Sequence, residues 1–328
     1  MCAILRTPLP WMIGPLFAMA VLKLAGFELR APRGAREGGQ LLIATALGLY
    51  FTPPVMREVL SRWELLLAAA VFSTLLAYLG AWIIARYSDT DRTTALFASV
   101  PGGATEMAVL GERFGARVDR IAVAQSLRIL MVVVIIPFAF AALGVKGTDL
   151  YAPVDVPVSA GWLAILLATC ACGGWLFGLL RVPNAWMLGP LCACIVLTAS
   201  GIAWSAMPTL LTNFGQLLMG CALGSRFERE FMRRAPRFVA IVAASVLVAI
   251  VGATLFAMML ARISLVPLPS LVLATAPGGI AEMCITAKVL QLGVPLVTAA
   301  HVTRVVILVT TTAPVFRVVR RALRASRS

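Results

Sequence analysis

The chain has few of the side chains with which enzymes hold metals. It contains one histidine, His301, and none of its seven cysteines belongs to a Cys-x-x-Cys pair. Most of the cysteines lie inside apolar runs, where a thiol behaves as a small hydrophobic side chain. A P-loop, a glycine-rich dinucleotide signature and a nucleophile elbow are also missing from the sequence. The sequence therefore offers few ligands for a metal site built from His and Cys, and we expect no cofactor, no metal and no catalytic residue.

Charge is scarce as well. Only 13% of the residues are charged and 61% are hydrophobic, and the mean hydropathy is +0.95. A soluble domain of 328 residues does not need that much apolar surface. Several runs reach ~20 apolar residues, which is enough to cross ~30 Å of hydrocarbon as a helix. The composition therefore predicts an all-α polytopic membrane protein.

The net charge of +14 comes from short basic clusters between the apolar runs, such as the arginines at 226–237. Such clusters are typical of cytoplasmic loops that face anionic lipids. Because no basic domain remains once these loops are assigned, we do not expect a nucleic-acid partner. The expected partners are a small solute or ion and anionic lipids, and a homodimer stays open.

The second half of the chain repeats the first at a spacing of 176 residues. The repeated features are Gly39-Gln40-Leu41-Leu42 with Gly215-Gln216-Leu217-Leu218, Pro101-Gly102-Gly103 with Pro277-Gly278-Gly279, Glu106-Met107 with Glu282-Met283, and Arg128 with Arg304. A duplicated, interrupted membrane segment that carries a charge is the usual sequence pointer to a transport site.

Eleven apolar segments follow one another along the chain. They lie at about 9–27, 40–56, 63–86, 93–111, 121–143, 159–180, 185–202, 209–225, 237–261, 268–290 and 295–316. The second half has six of them and the first half five, because no counterpart of the segment at 159–180 precedes Leu9. Either this copy has lost its first helix, or the start codon is placed late and the natural chain is longer.

These segments predict the domain organisation. We expect an N-terminally incomplete membrane repeat at 1–143, an extracytoplasmic linker at 144–158, a membrane repeat at 159–318 and a basic cytoplasmic tail at 319–328. The C-terminal arginines and the cluster at 226–237 both belong in the cytoplasm by the positive-inside rule.

Three apolar segments separate those two clusters, and three full crossings would place the clusters on opposite faces of the membrane. Both are cytoplasmic only if one segment is re-entrant and returns to the face from which it entered. The segment at 268–290 is the natural candidate, since Pro-Gly-Gly splits it into two short pieces. Each complete half then has five crossings and one hairpin, which predicts two inverted repeats with about nine crossings and two hairpins. The alternative is a broken helix that spans the membrane, which gives parallel halves.

The two interruptions predict a binding site. Hydrocarbon leaves no water for unpaired backbone, so each Pro-Gly-Gly must be buried in protein or line a wet cavity. The N–H groups of a helix that restarts there would attract anions, and two matched arginines add positive potential. The predicted substrate-binding residues are Pro101, Gly102, Gly103, Thr105, Arg128, Pro277, Gly278, Gly279 and Arg304.

Glu106 and Glu282 lie well inside apolar segments. A charge at the centre of a membrane helix costs about 2.5–3.5 kcal/mol on translocon scales, so such residues are usually functional. One interpretation is that each carboxylate binds a coupled proton or cation, with Gln125 and His301 as further ion-coupling residues one turn before each arginine. The other is that each glutamate pairs with its arginine as an internal strut.

The doubled motifs resemble one known family. Leu9-Pro10-Trp11-Met12-Ile13-Gly14-Pro15, Ala185-Trp186-Met187-Leu188-Gly189-Pro190 and the two Pro-Gly-Gly-x-x-Glu-Met stretches are similar to the AbrB family of bacterial membrane proteins. The resemblance covers nearly the whole chain and implies two copies of one membrane repeat, from which this chain departs by its missing first helix. Family members carry labels as regulators of gene expression and as ammonia monooxygenases, but this sequence shows neither a DNA-binding module nor metal ligands.

The sequence thus predicts a secondary transporter of the bacterial inner membrane with a cytoplasmic C-terminus. It would carry a small solute, an organic anion in our interpretation, coupled to protons or cations by alternating access. Two other classes stay open: a non-transporting membrane protein with an indirect role in the regulation of gene expression, and a membrane oxidoreductase.

Overall fold

The structure is a computed structural model that describes residues 9–27, 29–102, 104–147, 151–226 and 235–325. All regular secondary structure in these ranges is helical. The described helices are α1 (Pro10–Leu24), α2 (Ala35–Gly48), α3 (Pro53–Ser61), α4 (Trp63–Tyr87), α5 (Arg92–Ser99), α6 (Ala104–Arg113), α7 (Val118–Ala142), α8 (Ala160–Leu179), α9 (Ala185–Ala199), α10 (Thr209–Gly224), α11 (Pro236–Ile263), α12 (Leu268–Thr275), α13 (Ile280–Leu290) and α14 (Val294–Ala325).

The predicted apolar, all-helical class is confirmed. Four helices, α4, α7, α8 and α11, are long and apolar enough to cross a membrane. The pair α2 and α3 makes a fifth candidate span if it counts as one, although its helices meet at 91°. Shorter apolar helices are α1, α9 and the first part of α14. The count of nine crossings and the inverted relation of the halves remain predictions.

The helices form two groups. In the first group α1 packs on α10, and α2 packs on α9 and α10, while α8 covers α9 and α2. In the second group α4 lies between α11 and α14, and the short helices α5, α6, α12 and α13 pack against α7 and α14. In the duplication, α9 corresponds to α1 and α10 corresponds to α2. Each of α1 and α9 packs on the second helix of the other copy, α1 on α10 and α9 on α2.

Each segment with Pro-Gly-Gly is a pair of helices in the structure. The first pair is α5 and α6, and the second is α12 and α13. Proline has no N–H to donate and glycine is conformationally free, so both helices end at this motif. Asp91 caps the start of α5 by accepting a hydrogen bond of 2.8 Å from the Thr94 N–H, which is a favoured N-cap arrangement.

Helices α8 and α9 approach each other closely at two glycines. A Cβ atom on Gly173 would lie 2.7 Å from the carbonyl oxygen of Gly189. A Cβ atom on Gly178 of the same helix would meet no atom within 4 Å. Small residues allow apolar helices to pack with their backbones in contact, so Gly173 fixes the distance between α8 and α9.

This difference predicts opposite effects for two substitutions in α8. Gly173→Ala forces the helices apart and destabilises the protein by about 1–3 kcal/mol, the usual effect of overpacking. Gly178→Ala is neutral or stabilising by up to about 1 kcal/mol, because alanine is the better helix former. Thermal unfolding of the purified protein in detergent measures both, and equal melting temperatures for the two variants would contradict the assigned packing.

Candidate functional site

A cavity of about 530 Å³ lies where the two interrupted helix pairs meet the first helix group. Pro101 and Gly102 line it from the first interruption, and Gly278 and Gly279 line it from the second. Six arginines and two glutamates also line it, so its formal charge is +4 when all eight are ionised. These charged residues are Arg36, Glu106, Arg113, Arg128, Arg181, Arg226, Glu282 and Arg304.

Arg128 and Arg304 bind the ends of the helices that precede the two interruptions. Arg128 Nη1 donates to the carbonyl of Ser99, the last residue of α5 (3.0 Å). Arg304 donates through Nη1 to the carbonyl of Ala276 (2.7 Å) and through Nη2 to that of Gly278 (2.5 Å). The last carbonyls of a helix have no helical partner and carry partial negative charge, so each buried guanidinium satisfies them.

Gln125 and His301 support the same two helix ends. Gln125 Nε2 donates to the carbonyls of Phe97 (2.8 Å) and Val100 (2.7 Å), and His301 Nε2 donates to the carbonyl of Leu273 (2.9 Å). Both side chains are fully buried and lie outside the lining of the cavity. Their geometry holds backbone in place, and their assignment to ion coupling remains a prediction.

Glu106 and Glu282 each stand in the first turn of the helix that restarts after an interruption. A helix N-terminus favours negative charge at this position. Glu106 Oε1 accepts a hydrogen bond of 3.2 Å from the backbone N–H of Asn184, which begins α9 in the other helix group. Its second oxygen is buried without a hydrogen-bond partner in the described part of the chain.

Glu282 has a different environment from Glu106. Its side chain is buried and folds back against Gly279, where a Cβ atom would overlap the carboxylate. Within the described ranges, neither glutamate forms an ion pair with Arg128 or Arg304, whose guanidinium groups bind carbonyls instead. The described contacts therefore give no support to the strut interpretation.

The predicted binding residues Gly103, Thr105 and Pro277 are not among those that line this cavity within the described part of the chain. Gly103 and the side chain of Thr105 lie outside the described residues. Pro277 lines a second, much smaller cavity of about 20 Å³ together with Pro101 and Arg128. The structure thus brings Pro101, Gly102, Glu106 and Arg128 to one cavity with Gly278, Gly279, Glu282 and Arg304 from the second half, and their roles in binding or coupling stay predictions.

Sequence reasoning missed the polar residues that the first helix group contributes to the cavity. These are Arg36, Gln40, Arg181, Asn184 and Arg226. Gln40 belongs to the repeated Gly-Gln-Leu-Leu motif, and this repetition was a signal by which Gln40 could have been found. It donates to the side-chain oxygen of Asn184 (2.8 Å) and so holds the residue whose N–H binds Glu106.

Arg226 lies just after the end of α10 and faces the glutamates. Burial lowers the pKa of Arg226, and the nearby positive charge of Arg36 lowers it further, whereas Glu282, Glu106 and Glu37 raise it. Arg226 thus lies near both Arg36 and the two cavity glutamates. No group of three or more His, Cys, Asp or Glu in the described ranges is placed to hold a metal ion.

Residues 11–320 match the family described as "Transition state regulatory protein AbrB". The chain belongs to the AbrB family. One family relative, "Putative regulator AbrB" of Escherichia coli K12, is 26% identical over 284 residues, which cover 85% of this chain and 81% of the relative. Another, "Uncharacterized protein YhjN" of Bacillus subtilis 168, is 25% identical over 333 residues, with 94% and 86% covered. Neither name is that of an enzyme.

The contacts of Arg304 predict which cavity charge stabilises the fold. Arg304→Met leaves the buried carbonyls of Ala276 and Gly278 without these donors and destabilises the protein by about 2–4 kcal/mol. Glu282→Gln removes a charge that makes no ion pair among the described residues, so the melting temperature stays close to that of the wild type. Thermal unfolding in detergent compares the two, and equal destabilisation would restore the strut interpretation.

Proposed function

We propose that this AbrB-family protein is a secondary transporter of a small organic anion, coupled to protons or cations by alternating access. The observation that carries the proposal is the shared cavity that both interruptions line together with both glutamates and both arginines. Irregular backbone at membrane depth is tolerated where it is buried in protein or lines a cavity. A site between two interrupted repeats is the arrangement that secondary transporters use.

Each interrupted pair folds back on itself, which supports re-entrant hairpins rather than broken spans. The backbone N–H of Arg117, after α6, donates to the Thr94 hydroxyl in the first turn of α5 (2.9 Å). In the second pair, Gly293, just after α13, lies against Ser270 in the first turn of α12. Both ends of each pair therefore lie together, and the glycine interruption forms the tip.

The two pairs have their ends at opposite ends of α7, which supports inverted halves. Arg120 in the first turn of α7 donates to the carbonyl of Asp89, close to the start of α5 (2.5 Å). Beyond the other end of α7, the N–H of Gly147 donates to the carbonyl of Leu290 at the end of α13 (3.0 Å). A helix of 25 residues rises ~38 Å, enough to separate two membrane faces.

The two faces also differ in charge. Arg237 at the start of α11 lies 3.9 Å from Asp89, so the basic cluster and the loop after α4 share one face. On the proposed topology this face is cytoplasmic. Arg113 and Arg226 of the cavity belong to elements that end at the same face, which makes the present conformation open toward the cytoplasm.

Glu106 connects the two helix groups across the cavity. It reaches from α6 to the N–H of Asn184, whose backbone is left-handed with φ 56°. At the matching start of α1, Leu9 has φ 54°. In our proposal, a proton or cation on Glu106 releases it from α9, and the opposite state forms when Glu282 takes the equivalent place against α1.

The name of the E. coli relative fits this proposal only indirectly. A transporter changes the expression of genes when it changes the concentration of a metabolite to which a regulator responds. The alternative of a non-transporting membrane protein with a regulatory role predicts no flux of any solute. Ligand-induced thermal stabilisation separates these two functions, since a ligand that binds only the folded protein raises its melting temperature.

Uptake measurements in proteoliposomes test the coupling. We expect Glu106→Gln and Glu282→Gln each to reduce anion uptake driven by a proton or sodium gradient at least tenfold, because an amide cannot exchange a proton or hold a cation. Glu64→Gln is the matched control, since this glutamate lies exposed in the first turn of α4, away from the cavity. Gradient-driven uptake at the wild-type rate in both cavity variants would refute the coupling role.

A further inference from the structure

Two cavity arginines belong to the wall that faces the interruptions. Arg36 stands in the first turn of α2, and Arg226 follows the end of α10. Unlike Arg128 and Arg304, neither has a hydrogen-bond or ion-pair partner among the described residues. Both side chains are half-buried in the cavity wall. Arg113 and Arg181 also line the cavity without such a partner, but both are exposed. The guanidinium groups of Arg36 and Arg226 are therefore the half-buried ones that are available to a ligand.

The chemistry of these two groups selects the ligand. A guanidinium presents a planar fork of N–H donors that matches a carboxylate with two parallel hydrogen bonds. Two forks from different helices match a molecule with two separate carboxylates, whereas a monocarboxylate leaves one of them unpaired. The cavity volume of about 530 Å³ lies within the ~300–1,000 Å³ of ordinary small-molecule sites.

The lining of the cavity also includes apolar side chains. Ile129 and Leu223 line it together with Met219 and Val305, so a short aliphatic chain has hydrophobic contacts. Glu106 and Glu282 line the hairpin side and repel a dianion while they are ionised. A dicarboxylate therefore binds best when a proton or cation neutralises these glutamates, which links substrate binding to coupling.

The duplication does not repeat the two arginines. At a spacing of 176 residues, Arg36 corresponds to Thr212 and Arg226 corresponds to Tyr50. Thr212 and Tyr50 are uncharged, so the opposite half does not offer the same pair of forks. The dianion site is thus a property of the conformation that is open at the basic face.

We infer that the cavity binds a small aliphatic dicarboxylate, with one carboxylate on Arg36 and the other on Arg226. This inference rests on the proposed function for its physiological meaning, because it names the substrate class of the same cavity. Binding itself requires no transport, so the two claims are measured separately.

Equilibrium binding to the purified protein in detergent tests the inference with succinate, butyrate and glycerol 3-phosphate. We expect succinate to bind and to raise the melting temperature, and butyrate to bind at least tenfold more weakly. Arg36→Gln and Arg226→Gln should each weaken succinate binding about ten- to hundredfold, as expected for loss of hydrogen bonds to a charged group. Arg237→Gln is the control, because this arginine lies at the same face but outside the cavity lining and should not change affinity.

A second pair of variants guards against a general effect on folding. Arg226→Lys keeps the charge but loses the fork, so it should bind succinate with intermediate affinity, while Arg226→Tyr copies the opposite half and should bind as weakly as Arg226→Gln. Equal affinity for succinate and butyrate, binding of glycerol 3-phosphate alone, displacement only by phosphatidylglycerol, or no binding at all would each overturn the inference. Succinate binding without any uptake in proteoliposomes would preserve the site and refute the transporter.

Discussion

The structure depends on how a helix can stop inside an apolar surrounding. The carbonyls at the end of α5 and α12 have no next turn to bind them, and hydrocarbon offers no water in its place. Arg128 and Arg304 supply the missing donors from α7 and α14. Because these bonds fix the ends of the first helices, the glycines that follow and the glutamates of the next helices are positioned at the cavity.

This arrangement divides the charged residues between two tasks. The arginines that the duplication repeats bind backbone, so much of their charge is used within the protein. On our inference, the charge that meets a ligand comes from Arg36 and Arg226, the half-buried pair that the other helix group contributes. A cavity built at the boundary of two helix groups can therefore keep a stable framework on one side and a ligand-binding surface on the other.

The duplication made part of this site predictable from the sequence. Two copies of Pro-Gly-Gly and glutamate at one spacing indicated interrupted helices at equivalent places, and the structure contains both interruptions. The partners of the arginines were not predictable, since spacing along a helix does not distinguish a nearby carboxylate from a nearby carbonyl. The right-angled junction of α2 and α3 was also missed, because Pro53-Pro54 signals the end of one helix but not the direction of the next.

Arg36 and Arg226 escaped prediction for another reason. They lie at helix ends in basic loops, and charge patterning along the chain assigns such residues to contact with anionic lipids. Only the packing of α2 and α10 against each other brings these ends to one cavity.

The left-handed residues at the starts of α1 and α9 make the two matching junctions unequal in energy. Asparagine adopts a positive φ with little strain, whereas a left-handed conformation costs most other residues about 1–2 kcal/mol. Asn184 occupies this position at φ 56° and Leu9 at φ 54°, so the same backbone conformation is strained in one copy and nearly unstrained in the other. The junction before α1 accordingly holds conformational strain that the one before α9 lacks, so the two halves differ in what the same backbone geometry costs them.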